Sequence, residues 1–137
     1  MIPLLNKAAE EYAVMFGDKV VQVRFKIEDG EFEPYVLNAS GGESIDDQSV
    51  GEKALAGLIT SFALREIAPK TNLLILDEPG EGLDAANARQ FAQALPKLAE
   101  RFGSVFITSH NQVILSELSG ERTITVVKKN GRSRLVA

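Results

Sequence analysis

Leu73-Leu74-Ile75-Leu76-Asp77-Glu78-Pro79 is the stretch that decides the fold. Four aliphatic residues run without a polar break and are stopped by two carboxylates and a proline. An apolar run this short suits a strand covered on both faces, as in a mostly parallel sheet with helices packed on either side. Asp77 and Glu78 then fall at the carboxyl end of the strand, where open α/β sheets bind ligands. Strand-end carboxylates can also simply cap the next loop, but four aliphatics leading into Asp-Glu-Pro favour a functional pair.

On the carboxyl side, Gly80-Glu81-Gly82-Leu83-Asp84 reads as a tight turn in which Asp84 caps a helix reaching Phe102, with a kink or break near Pro96. Residues 105–108 form a second buried strand, followed by Ser109-His110-Asn111, where Asn111 caps a short helix ending near Leu118. Two short strands, 123–127 and 133–136, flank Asn130-Gly131 and predict a terminal hairpin.

On the amino side, a helix over residues 50–68 carries Leu55, Leu58, Ile59, Phe62 and Ile67 on its apolar side and is stopped by Pro69. Residues 38–48 are small, polar and acidic, and read as a loop. Before them, Val21, Val23, Phe25 and Ile27 alternate with polar residues, and Asp29-Gly30 turns the chain back through residues 32–37. The first helix opens at Pro3, repeats apolar residues at helical spacing and ends at Gly17. The organisation is one α/β domain: a helix over 1–17, a hairpin over 18–37, a central lobe over 38–118 and a hairpin over 119–137.

The chain has 137 residues, 45% hydrophobic and 25% charged, which suits one globular domain. No apolar run approaches a membrane span, and the first residues do not resemble a signal peptide, so no membrane partner is expected. Without cysteine there is no disulfide framework or thiolate metal site. These features fit a cytoplasmic protein. The net charge of −4 disfavours independent nucleic-acid binding, and the basic cluster Lys128, Lys129, Arg132 and Arg134 reads first as a solvated hairpin end.

Four features carry chemistry. Ser49-Val50-Gly51-Glu52-Lys53 opens the long helix, and a helix amino terminus gathers unpaired N–H donors and a positive dipole end, although Ser-x-Gly-Glu also serves as a plain cap. Asp77 is suited to hold Mg²⁺, which takes one or two carboxylates plus phosphate and water, and Glu78 to polarise an attacking water. Gly80–Asp84 permits a close backbone course and is uninformative alone. His110, the only histidine, follows the second strand and can reach the same sheet edge as Glu78.

Taken together, these features resemble the carboxyl half of ABC-ATPase heads, a P-loop NTPase-like α/β fold. Ser49–Glu52 looks like the family signature, Leu73–Glu78 like the Walker B strand, Gly80–Asp84 like the D-loop and His110 like the switch histidine. Ser40-Gly41-Gly42-Glu43 spells the signature more closely but is not followed by a helical pattern, so Ser49 is preferred. The Ser-x-Gly-Glu-Lys spelling and the opening helix, a root for a returning coiled-coil arm, resemble the SMC-like repair branch, notably SbcC and the phage recombination-endonuclease subunit.

The resemblance implies ATP and Mg²⁺ as cofactors, with Ser49, Gly51, Glu52, Lys53, Gly82 and Asp84 at the nucleotide, Asp77 at the metal, and Glu78 and His110 catalytic. It further implies a second head as a homodimer partner, a nuclease subunit, DNA bound through the full assembly, and a cytoplasmic, host-cytoplasmic or nucleoid-associated setting. No Gly-x-x-x-x-Gly-Lys-Ser/Thr occurs in the 137 residues, so a separate amino-terminal Walker A lobe must supply the phosphate loop. Hydrolysis is expected only in that completed assembly. The alternatives are the nucleotide-binding subunit of an ABC transporter and a non-catalytic interaction module.

Overall fold

The computed structural model describes residues 1–17, 21–38 and 44–136. The elements are helix α1 (Ile2–Met15), strands β1 (Val21–Glu28) and β2 (Glu31–Asn38), helix α2 (Val50–Arg65), strand β3 (Leu73–Asp77), helix α3 (Ala85–Phe102), strand β4 (Ser104–Thr108), helix α4 (Gln112–Glu117), and strands β5 (Thr125–Lys129) and β6 (Arg132–Val136). A short 3₁₀ turn, Ile45–Asp47, precedes α2. The strands form one parallel pair, β3–β4, and two antiparallel hairpins, β1–β2 and β5–β6, toward either end, in the α/β arrangement expected.

The core forms where α1, α2, α3 and β1 converge. Helix α1 buries Leu5, Ala8, Ala9, Tyr12 and Ala13, α2 buries Leu55, Ala56, Ile59, Phe62 and Ala63, and α3 contributes Phe91, Leu98 and Phe102 among others. Phe62 lies at the centre, with ring centroids 5.3 Å from Tyr12, 5.7 Å from Phe16 and 6.1 Å from Phe102. Each such fully buried aromatic or aliphatic side chain contributes roughly 1.5–3 kcal/mol from removal of apolar surface from water. Asn6 of α1 ties itself to strand β1, accepting from the Phe25 N–H at 2.6 Å and donating to its carbonyl at 3.2 Å. The helix thereby satisfies backbone groups on the strand edge that would otherwise stay open.

Both hairpins turn as their sequences require. Asp29 and Gly30, like Asn130 and Gly131, have positive φ at both central positions, the conformation that Asp-Gly and Asn-Gly tolerate. The terminal hairpin begins two residues later and its second strand one residue earlier than the alternation suggested. Helix α2 stops at Arg65 rather than at residue 68, since a residue preceding proline is disfavoured in helical conformation and the last turn loosens ahead of Pro69. Ile67 accordingly lies outside the helix and is exposed. Helix α3 runs through Pro96 as one element.

The largest departure from expectation lies in the parallel pair. Strand β3 is not covered on both faces: Leu73 is 44% exposed and Ile75 68%, and on the paired strand Phe106 is 60% exposed. Leu74, Leu76, Val105 and Ile107 point to the helical side and pack on the core. The physical reason is that α3 lies against one face of the β3–β4 pair while no described element covers the other. The rival signature Ser40–Glu43 falls outside the described residues. Among the described residues no helix is long and apolar enough to cross a membrane.

Candidate functional site

The structure sorts the candidate residues into two clusters. The first lies at the carboxyl edge of the parallel pair. Parallel register sets Asp77 beside Thr108, and the Thr108 hydroxyl donates to Asp77 Oδ1 at 2.5 Å. Glu78 adopts φ 46°, a left-handed conformation uncommon for a residue with a side chain. That turn takes the chain off the strand while the Glu78 N–H stays bonded to the Thr108 carbonyl at 3.1 Å and approaches the Thr108 hydroxyl at 3.2 Å. Strained backbone of this kind costs on the order of 1–3 kcal/mol and persists only where its surroundings hold it.

His110 completes this cluster. Its backbone N–H donates to Glu78 Oε2 at 3.2 Å, and its ring Nδ1 lies 2.9 Å from the same oxygen. The hydrogen bond to Glu78 and the charge of that carboxylate hold the imidazolium above the usual histidine range, with a smaller contribution from Glu81. The ring itself is exposed, so Glu78 restrains one nitrogen and leaves the other facing outward. Asn111 then caps α4 by accepting from the Val113 and Ile114 N–H groups at 3.0 and 3.4 Å, which fixes the segment carrying His110.

The second cluster surrounds the amino termini of α2 and α3. An open pocket of about 340 Å³ is lined by Ser49, Gly51, Glu52, Leu55, Gly82, Asp84 and Asn87. Ser49 and Glu52 form a reciprocal cap: the Ser49 hydroxyl accepts from the Glu52 N–H at 3.2 Å, and Glu52 Oε2 accepts from the Ser49 N–H at 2.7 Å. This bond from the Ser49 N–H keeps the Glu52 carboxyl below its ordinary range. The capping role weighed against the anion-site role is therefore real. It does not exclude the other, because a hydroxyl that accepts from an N–H still has its own proton to donate.

Asp84 caps α3, accepting from the Asn87 N–H at 2.8 Å and from its amide at 3.3 Å. Gly82, at φ 81°, brings its backbone against Val50 and Ala54 at the start of α2. Lys53 is exposed and does not line the pocket. Two residues escaped the sequence reading, Thr108 and Asn87. Thr108 is identified by strand register, which sequence does not give. Asn87 sits three residues after the Asp84 cap, a spacing legible in the sequence.

A magnesium ion would find one carboxylate here, Asp77, with the Thr108 hydroxyl beside it. Among the described residues no three metal-ligating side chains converge. That is compatible with Mg²⁺, which keeps several waters and completes its shell with substrate phosphates, and not with an ion caged by protein alone.

Residues 12–116 match the family described as "AAA domain, putative AbiEii toxin, Type IV TA system". The chain belongs to this AAA-domain family. Among curated proteins, this AAA domain is 31% identical over 96 residues to a Methanopyrus kandleri protein named as an ABC transporter ATP-binding protein, covering 66% of this chain and 34% of the relative. It thus spans about a third of that protein's length. Among solved structures, a chain described under ATP-driven dimerization and DNA-stimulated activation of SMC ATPases superposes with TM-score 0.80 at 22% identity, over 98% of this chain and 83% of that one. The SMC head domain of Thermotoga maritima superposes with TM-score 0.71 at 25% identity, over 97% of this chain and 46% of that one. The AAA domain therefore has the ATPase-head fold, with relatives among ABC-type ATP-binding proteins.

Proposed function

We propose that this chain is the carboxyl-terminal lobe of an SMC-like ATPase head of the SbcC-like repair branch, working with a second head and a nuclease subunit on DNA ends. The observation that carries the lobe assignment is the bare apolar face of the β3–β4 pair, where Ile75 and Phe106 are 68% and 60% exposed directly behind the Asp77–Glu78 edge. Parallel pairs are ordinarily covered on both sides, so this face fits an amino-terminal Walker A lobe completing the sheet and bringing the phosphate loop to the carboxylates. The repair branch and its partners rest on the resemblance of Ser49–Lys53 and the opening helix.

In this reading Asp77 holds Mg²⁺, which would neutralise phosphate charge. Glu78, half-buried, orients the attacking water. His110, held by Glu78, directs its outward nitrogen at the terminal phosphate. Ser49 and the α2 amino terminus offer donors to a nucleotide held by the opposing head. Glu52 and Asp84 line the same pocket, so a phosphate entering it needs cations from elsewhere, with Lys53 close by in sequence and the rest supplied by the opposing site. Such positioning and electrostatic contributions dominate phosphoryl transfer.

The test uses the completed head. Glu78→Gln is expected to slow ATP turnover ~10²–10³-fold, by analogy with loss of one preorganised group, while ATP-driven pairing of heads, followed by light scattering, persists. Rapid turnover in that variant removes Glu78 from the water-orienting role. Isolated, the 137-residue chain is expected neither to bind ATP tightly nor to hydrolyse it, which calorimetry and a phosphate-release assay read directly. A second reading, the nucleotide-binding part of a transporter, draws on the 31% identity to a transporter ATP-binding protein. Co-purification of the full-length protein with a membrane subunit would favour it over the repair assembly.

A further inference from the structure

Charge is unevenly distributed along this chain. Residues 122–136 hold five cations, Arg122, Lys128, Lys129, Arg132 and Arg134, and no carboxylate, leaving ten cations against nineteen carboxylates elsewhere. The net charge of −4 therefore averages over a strongly acidic body and a basic hairpin. The register of β5 and β6 then divides that hairpin by face. Val127 pairs with Arg134 and Lys129 with Arg132, so Lys129, Arg132 and Arg134 share one side. Val127 and Val136 lie on that same side, while the fourth strand cation, Lys128, pairs with Ser133 on the opposite side beside Val126 and Leu135.

A solvated hairpin end accounts poorly for this pattern. Lys129 and Arg132 are direct cross-strand partners, and like charges facing each other across an antiparallel pair destabilise it. Among the described residues no carboxylate lies within 4.0 Å of any of the three. Every residue from Glu121 to Val136 is exposed. The arrangement is relieved by an external polyanion with closely spaced charges. Same-face residues two apart on a strand are separated by about 6.5 Å and cross-strand partners by about 5 Å. The three cations therefore form a compact right-angled cluster, with Lys129 across from Arg132 and Arg134 along the strand from Arg132, wide enough to meet neighbouring phosphates of one backbone. Two of them are arginines, whose planar forks bind phosphate oxygens in pairs. A two-stranded ribbon is also slim enough to enter a major groove.

We infer that the Lys129–Arg132–Arg134 face of the β5–β6 hairpin is a sequence-independent contact surface for the phosphate backbone of duplex nucleic acid. It goes beyond the assignment of DNA to the whole assembly by naming the surface on this chain, and it needs no nucleotide. The test is fluorescence anisotropy of a labelled 30-base-pair duplex with the isolated 137-residue chain, without ATP, between 50 and 200 mM salt. Three phosphate contacts predict a slope of log K against log[salt] of about −2.7, a loss of about fortyfold across that range.

The triple variant Lys129→Gln/Arg132→Gln/Arg134→Gln is expected to bind at least tenfold more weakly at 50 mM salt, with a flattened slope. Lys7→Gln/Lys70→Gln/Lys97→Gln, which changes net charge equally, is expected to bind within threefold of the parent. The charge-preserving Lys129→Arg/Arg132→Lys/Arg134→Lys is expected to do the same, which separates loss of charge from loss of the hairpin. Absence of duplex binding at 50 mM, equal weakening by the two glutamine triples, or binding of polyglutamate in place of duplex would overturn the assignment. Failure of the ATPase reading would appear only in the turnover of the completed head and leaves these outcomes unchanged.

Discussion

Gly80→Ala is expected to destabilise the chain through one identifiable collision. Gly80 is buried, and a Cβ built on its backbone lies 2.3 Å from Cδ1 of Ile114, a fully buried residue of α4. Ordinary carbon–carbon contact is about 3.5–4.0 Å, so the methyl must push Ile114 or the Gly80–Asp84 turn by more than an ångström. Overpacking of this kind typically costs 1–3 kcal/mol. The remaining neighbours tolerate the methyl, since Asn111 Nδ2 at 3.5 Å and Ile114 Cγ1 at 3.6 Å are at ordinary distances. Ile114→Val deletes Cδ1 alone and by itself should cost about 0.5–1.5 kcal/mol. The double variant should therefore be more stable than the sum of the two losses requires, with a coupling of at least ~1 kcal/mol. Urea unfolding followed by circular dichroism measures this. With m of ~2 kcal/mol/M, Gly80→Ala should lower the midpoint by about 0.5–1.5 M. Strict additivity would mean that the methyl finds room elsewhere and that Ile114 does not hold the turn.

Tyr12→Phe retains the ring inside the aromatic cluster but removes the hydroxyl that donates to Glu66 at 2.7 Å, and should cost about 1–2 kcal/mol as a hydrogen bond to a charged acceptor that keeps its Arg101 partner at 2.9 Å; an unchanged urea midpoint would refute it. The His110 pair sets a pH dependence. Because Glu78 raises the folded-state pKa above the ordinary 6.5, the pair stabilises the fold below about that pH and the contribution is lost as pH rises through the folded value. Proton NMR of His110 should give an apparent pKa above 6.5 that falls toward it in Glu78→Gln, and identical titrations in the two proteins would dissolve the pairing.

The sequence reading succeeded where local chemistry decides the outcome. Asp-Gly and Asn-Gly specified both hairpin turns, Asp84 and Asn111 specified two helix starts, and the Asp77–Glu78 pair lies at a strand end beside His110. It failed where the answer depended on what packs against an element. Leu73–Leu76 has the composition of a strand with two covered faces, yet composition records the environment a strand is suited to, not the presence of the covering element. Ile75 and Phe106 remain exposed for that reason. Thr108 was invisible because only strand register sets it beside Asp77. The charge segregation of the last hairpin was visible in the sequence, but its meaning waited on the face assignment that pairing supplies.

The two clusters are each chemically incomplete, and in complementary ways. The Asp77–Glu78–His110 edge can hold a cation and orient a water, but it offers no row of N–H donors for phosphate oxygens. The pocket at the starts of α2 and α3 has such donors, yet Glu52 and Asp84 put negative charge beside them. A nucleotide confined to either cluster alone would meet carboxylates without enough cations or donors to balance its phosphates. Gly80 couples the two, since the turn that leaves Glu78 packs on Ile114 behind His110 and then delivers Gly82 against the first turn of α2. The turn that carries the carboxylate edge thus continues directly into the wall of the Ser49 pocket. On the proposed reading, one half is completed by an added phosphate loop and the other by an opposing head.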